Sequence, residues 1–241
     1  MLAHPLSRRR YLWPALGVSA MVSYNAWLLW WPLSGKSAVF NGYLSELSAL
    51  DQPNNLFFRG GDLVAGLLVL MVGVRAVQIC RQRARHSNRW WLVAAVALVA
   101  TGLSTIGDAV LALDCSPTLS EGCRGLEESG QLSAGHYLHT GTSVAAQAGI
   151  VTSLVAARLA VRQRKGAAPR GRALLSVTCA VEIVAVIIML GMIATGSSGF
   201  GYPQVVAVVA ASVWFAVVGF WLTDCSSVGV LAGDALKEEG S

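Results

Sequence analysis

The sequence predicts an all-α integral membrane protein: a bundle of six transmembrane helices with both termini in the cytoplasm. Three observations predict it. The 241 residues are 54% hydrophobic and 13% charged, with a mean hydropathy of +0.57, whereas a soluble domain carries about 25% charged residues. Apolar runs of about 20 residues, the length that crosses a bilayer as helix, recur along the chain. Basic residues gather in short clusters between alternate runs, as the positive-inside rule requires. The net charge of +5 is therefore a mark of membrane orientation and not a nucleic-acid footprint.

Residues 1–10 form a cytoplasmic N-terminus ending in Arg8, Arg9 and Arg10. The first span covers about 11–33. Its core is longer than the roughly 7–15 residues of a signal peptide, so it reads as a retained anchor. Trp13, Trp27, Trp30 and Trp31 lie towards its two ends, where indoles favour the interface. The outer loop that follows contains Leu44-Ser45-Glu46-Leu47 and Phe57-Phe58-Arg59, a pattern for a short helix or re-entrant segment lying on the bundle.

Asp62 is placed to cap the second span, about 62–80, because a carboxylate accepts from the free N–H groups of a first helical turn. Arg81, Arg83, Arg85, His86 and Arg89 make a basic inner loop. The third span, about 90–113, leads into an acidic outer loop with Asp114, Glu121, Glu127 and Glu128. The fourth span, about 135–161, ends in a second basic inner loop broken by Pro169. The fifth, about 173–195, and the sixth, about 203–222, are joined by a Gly/Ser turn, and a polar cytoplasmic tail occupies 223–241. Only Lys36, Arg59 and Arg124 fall on the outer side. Gly66, Gly73, Gly102 and Gly107 suit close helix approach.

Among the five cysteines, Cys115 and Cys123 share the outer acidic loop. An extracytoplasmic loop permits a disulfide between them.

Ionisable groups inside a bilayer are costly, so they face the bundle interior and mark candidate sites. On span three, Thr101, Ser104 or Thr105, and Asp108 share one face at helical spacing, and on span four His136, His139, Thr140, Ser143 and Gln147 do so. The two helices are consecutive and antiparallel, so the stripes can face each other beneath the disulfide loop, with Asp62 and Glu46 near them. This makes Glu46, Arg59, Asp62, Asp108, His136, His139 and Ser143 the expected pocket. Arg59 and Arg124 would suit a phosphate, onto which a guanidinium forks.

Three readings of the pocket remain open. The leading one is a non-enzymatic site for a lipid or lipid-linked head group, with membrane lipids as partners. The second is a metal-dependent hydrolase in which His136, His139 and Asp108 hold zinc and leave an open position for water. The third is a structural or partner-binding protein whose Ser and Thr stripes join helices. Deeper in the membrane, Glu182 on span five is expected to pair with Arg75 or Arg158. No GxGxxG, GxxxxGK[ST] or GxSxG motif occurs.

The segments Leu44–Leu47, Phe58-Arg59, Gly61-Asp62-Leu63, Asp114-Cys115 with Cys123, and His136 through Ser143 together resemble the bacterial and archaeal membrane family catalogued as domain of unknown function 998. The resemblance covers nearly the whole chain. It implies a six-span membrane protein and assigns no activity; the expected location is the cell membrane. The first outer loop is also similar to that of the eukaryotic DRAM-like six-span proteins. A looser likeness points to membrane metal hydrolases of the ceramidase and adiponectin-receptor kind, from which the chain departs by carrying HxxH on span four and not HxxxH on the last span.

Overall fold

The computed structural model describes residues 5–29, 41–82, 88–163 and 169–238. Among these residues the chain is all-helical. The long elements are α1 (Pro5–Tyr24), α2 (Asn55–Gln82), α3 (Arg89–Val110), α5 (Ala134–Arg162), α6 (Pro169–Ala194) and α7 (Gly201–Glu238). A short α4 (Glu121–Glu128) and two 3-10 turns, Ala26–Leu29 and Leu44–Ser48, complete it. Among the described residues five helices are long and apolar enough to cross a membrane: α2, α3, α5, α6 from Gly171, and α7 as far as Leu222. The protein is a multi-pass membrane protein.

The long helices form a closed ring in chain order. α1 packs on α2, α2 on α3, α3 on α5, α5 on α6, α6 on α7, and α7 returns to α1. Outward faces are apolar: Val177, Val184, Ile187 and Leu190 of α6 are exposed, as side chains bathed in hydrocarbon are. Inside, one half of the ring is filled by Val72, Leu98, Ile150, Leu154, Trp214 and Phe215. Two polar side chains there are linked in series. Trp214 Nε1 donates to Ser153 Oγ at 3.0 Å, and Ser153 Oγ donates to Ala94 O at 3.0 Å. The other half of the ring, towards the disulfide loop, holds the candidate site.

Close packing of α2 on α3 depends on missing side chains. A Cβ on Gly102 would stand 2.6 Å from Leu70 N, and one on Gly66 2.9 Å from Ile106 N. Backbone contact at that range is available only to glycine, and it brings Asp62 of α2 and Asp108 of α3 to the same cavity.

Three boundaries differ from expectation, each for a local reason. The first helix stops at Tyr24, short of residue 33, because Asn25 turns its amide onto the chain: Nδ2 donates to Met21 O at 2.8 Å and Oδ1 accepts from Trp27 Nε1 at 3.2 Å. Trp30, Trp31 and Lys36 lie outside the described residues. The second long helix starts at Asn55, so Asp62 sits two turns inside it and is not its cap. The turn before it is closed by Asn54, at φ 61°, and by Asn55 Nδ2 donating to Gln52 O at 3.0 Å. The last helix runs on past Leu222 to Glu238.

The loops are tied by side chains. Asn88 Oδ1 caps α3 by accepting from Trp90 N at 3.0 Å. Ser133 Oγ caps α5 by accepting from His136 N at 3.3 Å. Cys115 and Cys123 form a disulfide that closes the loop between α3 and α5.

Candidate functional site

The last carbonyls of an α-helix have no partner within the helix. At the C-terminus of α3 they are met by two basic side chains from neighbouring helices. Arg59 Nε donates to Ala109 O at 2.9 Å, and Arg59 Nη2 to Val110 O at 3.3 Å. His139 Nδ1 lies 3.1 Å from Asp108 O and 2.7 Å from Leu111 O. Both of those partners accept only, so Nδ1 carries the hydrogen and Nε2 is a bare lone pair in the neutral ring.

His136, one turn earlier, is set the other way. It is fully buried beneath the disulfide loop. Its Nδ1 accepts from Asp114 N at 3.2 Å, leaving Nε2–H facing Glu127 Oε1 at 3.3 Å. The two histidines therefore serve different partners and do not converge. Among the described residues no group of three His, Cys, Asp or Glu is placed to hold a metal ion.

Asp114 anchors this end of α5. Its Oδ2 accepts from Ser133 N at 2.6 Å and its Oδ1 from Ser133 Oγ at 2.8 Å. The main-chain N–H of Ser133 holds the Asp114 carboxyl below the usual carboxylate range.

Residues 44–48 form a lid over the ring. Leu44 N donates to Gln204 Oε1 at 2.8 Å. Ser116 of the disulfide loop donates through N to Asp51 Oδ2 at 3.1 Å and through Oγ to Glu46 O at 3.3 Å. The Glu46 side chain is buried and turned to Thr118, whose hydroxyl donates to Oε2, while Oε1 has no partner among the described residues. Burial pushes the Glu46 carboxyl up, with the Thr118 bond as a partial offset.

Beneath the lid is a cavity of about 110 Å³. Its walls include Asp62, Asp108, His139 and Ser143, four of the seven expected pocket residues. Asp108 Oδ1 accepts from the hydroxyls of Thr142 and Ser143, the latter at 3.1 Å. Glu46, Arg59 and His136 are engaged elsewhere, as lid anchor, helix cap and loop anchor. Arg124 is exposed on α4, and no Lys or Arg lines the cavity among the described residues.

Tyr24, Trp27 and Gln204 are walls that were not anticipated. The first two follow a helix end invisible in the apolar pattern. Gln204 could have been found as a lone amide near the start of an apolar run. Gln147 also lines the cavity, and its Nε2 donates to Glu182 Oε1 at 2.5 Å. Glu182 is thus joined to Gln147 and not to a cation. Arg75 stacks over Trp13 at 5.7 Å, and Arg158 donates to Ser176 Oγ.

A family match covers residues 17–221, from the middle of α1 to the end of the apolar part of α7. The chain belongs to the family described as Protein of unknown function (DUF998). No match was found among curated proteins or among solved structures. In this DUF998 protein the matched stretch contains every wall of the cavity, together with the lid and the disulfide loop.

Proposed function

We propose that the protein binds a lipid or lipid-linked head group in the cavity beneath residues 44–48. The observation that carries the proposal is the cavity itself: a polar chamber walled by Asp62, Asp108 and His139 inside a ring of mostly apolar helices. Ionisable groups are retained in membrane interiors where they have work to do. Volume limits what enters. About 110 Å³ holds a few waters or a compact head group, and is well below the ~300–1,000 Å³ of pockets that engulf a whole drug-sized ligand. Acyl chains would lie outside, along the apolar faces.

Depth fits as well. With 28 residues, α2 is ~42 Å long against ~30 Å of hydrocarbon. Asp62, seven residues from its start, lies about 10 Å in, close to the head-group boundary. In this reading α1 completes six spans, the termini are cytoplasmic and the disulfide end is extracytoplasmic at the cell membrane. The concentration of Lys and Arg between alternate spans supports that orientation.

The test is native mass spectrometry of the purified protein with its co-purified lipids, beside Ala146→Phe. Ala146 is a small, buried wall residue, and a phenyl ring there fills the chamber. A folded Ala146→Phe protein should lose the bound lipid. Equal lipid retention by parent and variant would refute the proposal.

A further inference from the structure

We infer that the cavity selects a primary ammonium, the head of an aminoethyl-type lipid or an amine of the same chemistry. This rests on the head-group reading above and adds the chemical class. Charge comes first. The cavity has two carboxylates, Asp62 and Asp108, and no Lys or Arg among its described walls. The expected guanidinium for a phosphate is absent because Arg59 is spent on the carbonyls of Ala109 and Val110. A cation can pair with either acid, whereas a phosphate finds no basic partner among the described walls.

Hydrogen-bond direction then narrows the cation. His139 is 2% exposed and belongs to the cavity wall. With Nδ1–H given to α3, the opposite edge of the ring carries Nε2, which is buried without a partner among the described residues. That atom is an acceptor waiting for a donor. Gln147 gives an N–H to Glu182, so its carbonyl oxygen is also an acceptor. Asp108 takes both its hydrogen bonds on Oδ1. The chamber is thus rich in acceptors and lined by two acidic side chains. A primary ammonium brings three N–H donors with its charge, whereas a quaternary ammonium brings charge alone. Trp27 and Tyr24 could face either cation. The unpartnered imidazole nitrogen decides for the one that can donate.

The experiment uses the full chain in nanodiscs and compares phosphatidylethanolamine, phosphatidylcholine and phosphatidylglycerol with identical acyl chains, by native mass spectrometry with competition. Free ethanolamine forms a separate arm. Phosphatidylethanolamine should bind at least about 10-fold tighter than the other two. Asp62→Asn should remove that preference, since Asp62 supplies a carboxyl to the cavity and, among the described residues, no hydrogen bond that holds the fold; Asp108→Asn replaces it should that variant not fold. Phosphatidylcholine or phosphatidylglycerol binding equally well overturns the ammonium and leaves the head-group reading intact. An undiminished preference in both Asn variants also overturns it. Binding of free ethanolamine with no lipid retained upholds the ammonium and overturns the lipid. Binding of none of the four overturns both.

Discussion

His139 Nδ1 stands 2.7 Å from the main-chain oxygen of Leu111, so a side chain of α5 finishes the helix that precedes it. The same nitrogen is 3.1 Å from Asp108 O. Removing the donor leaves buried carbonyls unpaired, at a cost of about 1–3 kcal/mol. His139→Ala should therefore lower the thermal midpoint in detergent. His139→Asn, whose amide can donate from a similar position, should recover part of the loss. An unchanged midpoint in the Ala variant would contradict the capping role.

Arg59 makes a distinct prediction because its donors go to Ala109 and Val110 and not to the cavity. Arg59→Ala should destabilise the fold by about 1–3 kcal/mol. Arg59→Lys should restore little, since an ammonium cannot span two carbonyls as the planar fork does. Lipid bound per folded protein should be unaffected in both. Selective loss of an anionic lipid in Arg59→Ala would instead show the guanidinium acting on a ligand.

Asp114 sets an acid limit. Its carboxyl is held low by the Ser133 N–H, so the stability it adds is present above the unfolded value of about 3.9 and is lost as pH falls through the lower folded value. Asp114→Asn should flatten this acid-side slope. Ser133→Ala, which deletes the α5 cap, should cost about 1 kcal/mol. Unfolding curves collected between neutral pH and about pH 3 provide the check.

Glu46 acts with the opposite sign. Its carboxyl is raised by burial, so the folded protein keeps a proton that the unfolded chain has released. Stability should fall as pH rises from the ordinary value of about 4.3 through the folded value. Glu46→Gln should raise the thermal midpoint at neutral pH. Thr118→Val should destabilise the parent and have a smaller effect beside Glu46→Gln, because the Thr118 hydroxyl donates to this carboxylate. A double-mutant cycle measures that coupling. Equal effects of Thr118→Val in both backgrounds would break the assignment.

Long apolar helices and four of the cavity walls were legible in the primary structure. Asp108, His139 and Ser143 could be placed on facing stripes because helical spacing assigns each residue a side, and consecutive helices must lie next to each other. The jobs of Arg59 and His136 were not legible. Both are polar residues at the edge of a membrane bundle, and nothing in their order along the chain distinguishes a ligand contact from a main-chain cap. Asp62 was expected at a helix start for the same reason: a carboxylate before an apolar run looks like a cap, although the helix begins at Asn55. Glu182 was expected to seek a cation, but an amide on the adjacent helix reached it first.

What the order of residues determined is an all-helical membrane chain with several long apolar helices, the loop bridged by Cys115 and Cys123, and the set of polar groups that had to turn inward. Each of these follows from local rules: the thickness of hydrocarbon, the helical period, and the cost of exposing charge to lipid. Closure of the ring decided the rest. Tyr24, Asp62, His139 and Gln204 come from four separate helices, and they meet only because α7 returns to α1 while glycines let α2 lie close on α3. Which acid or imidazole is used for holding the fold, and which is left facing the cavity, depends on distances between elements remote in sequence.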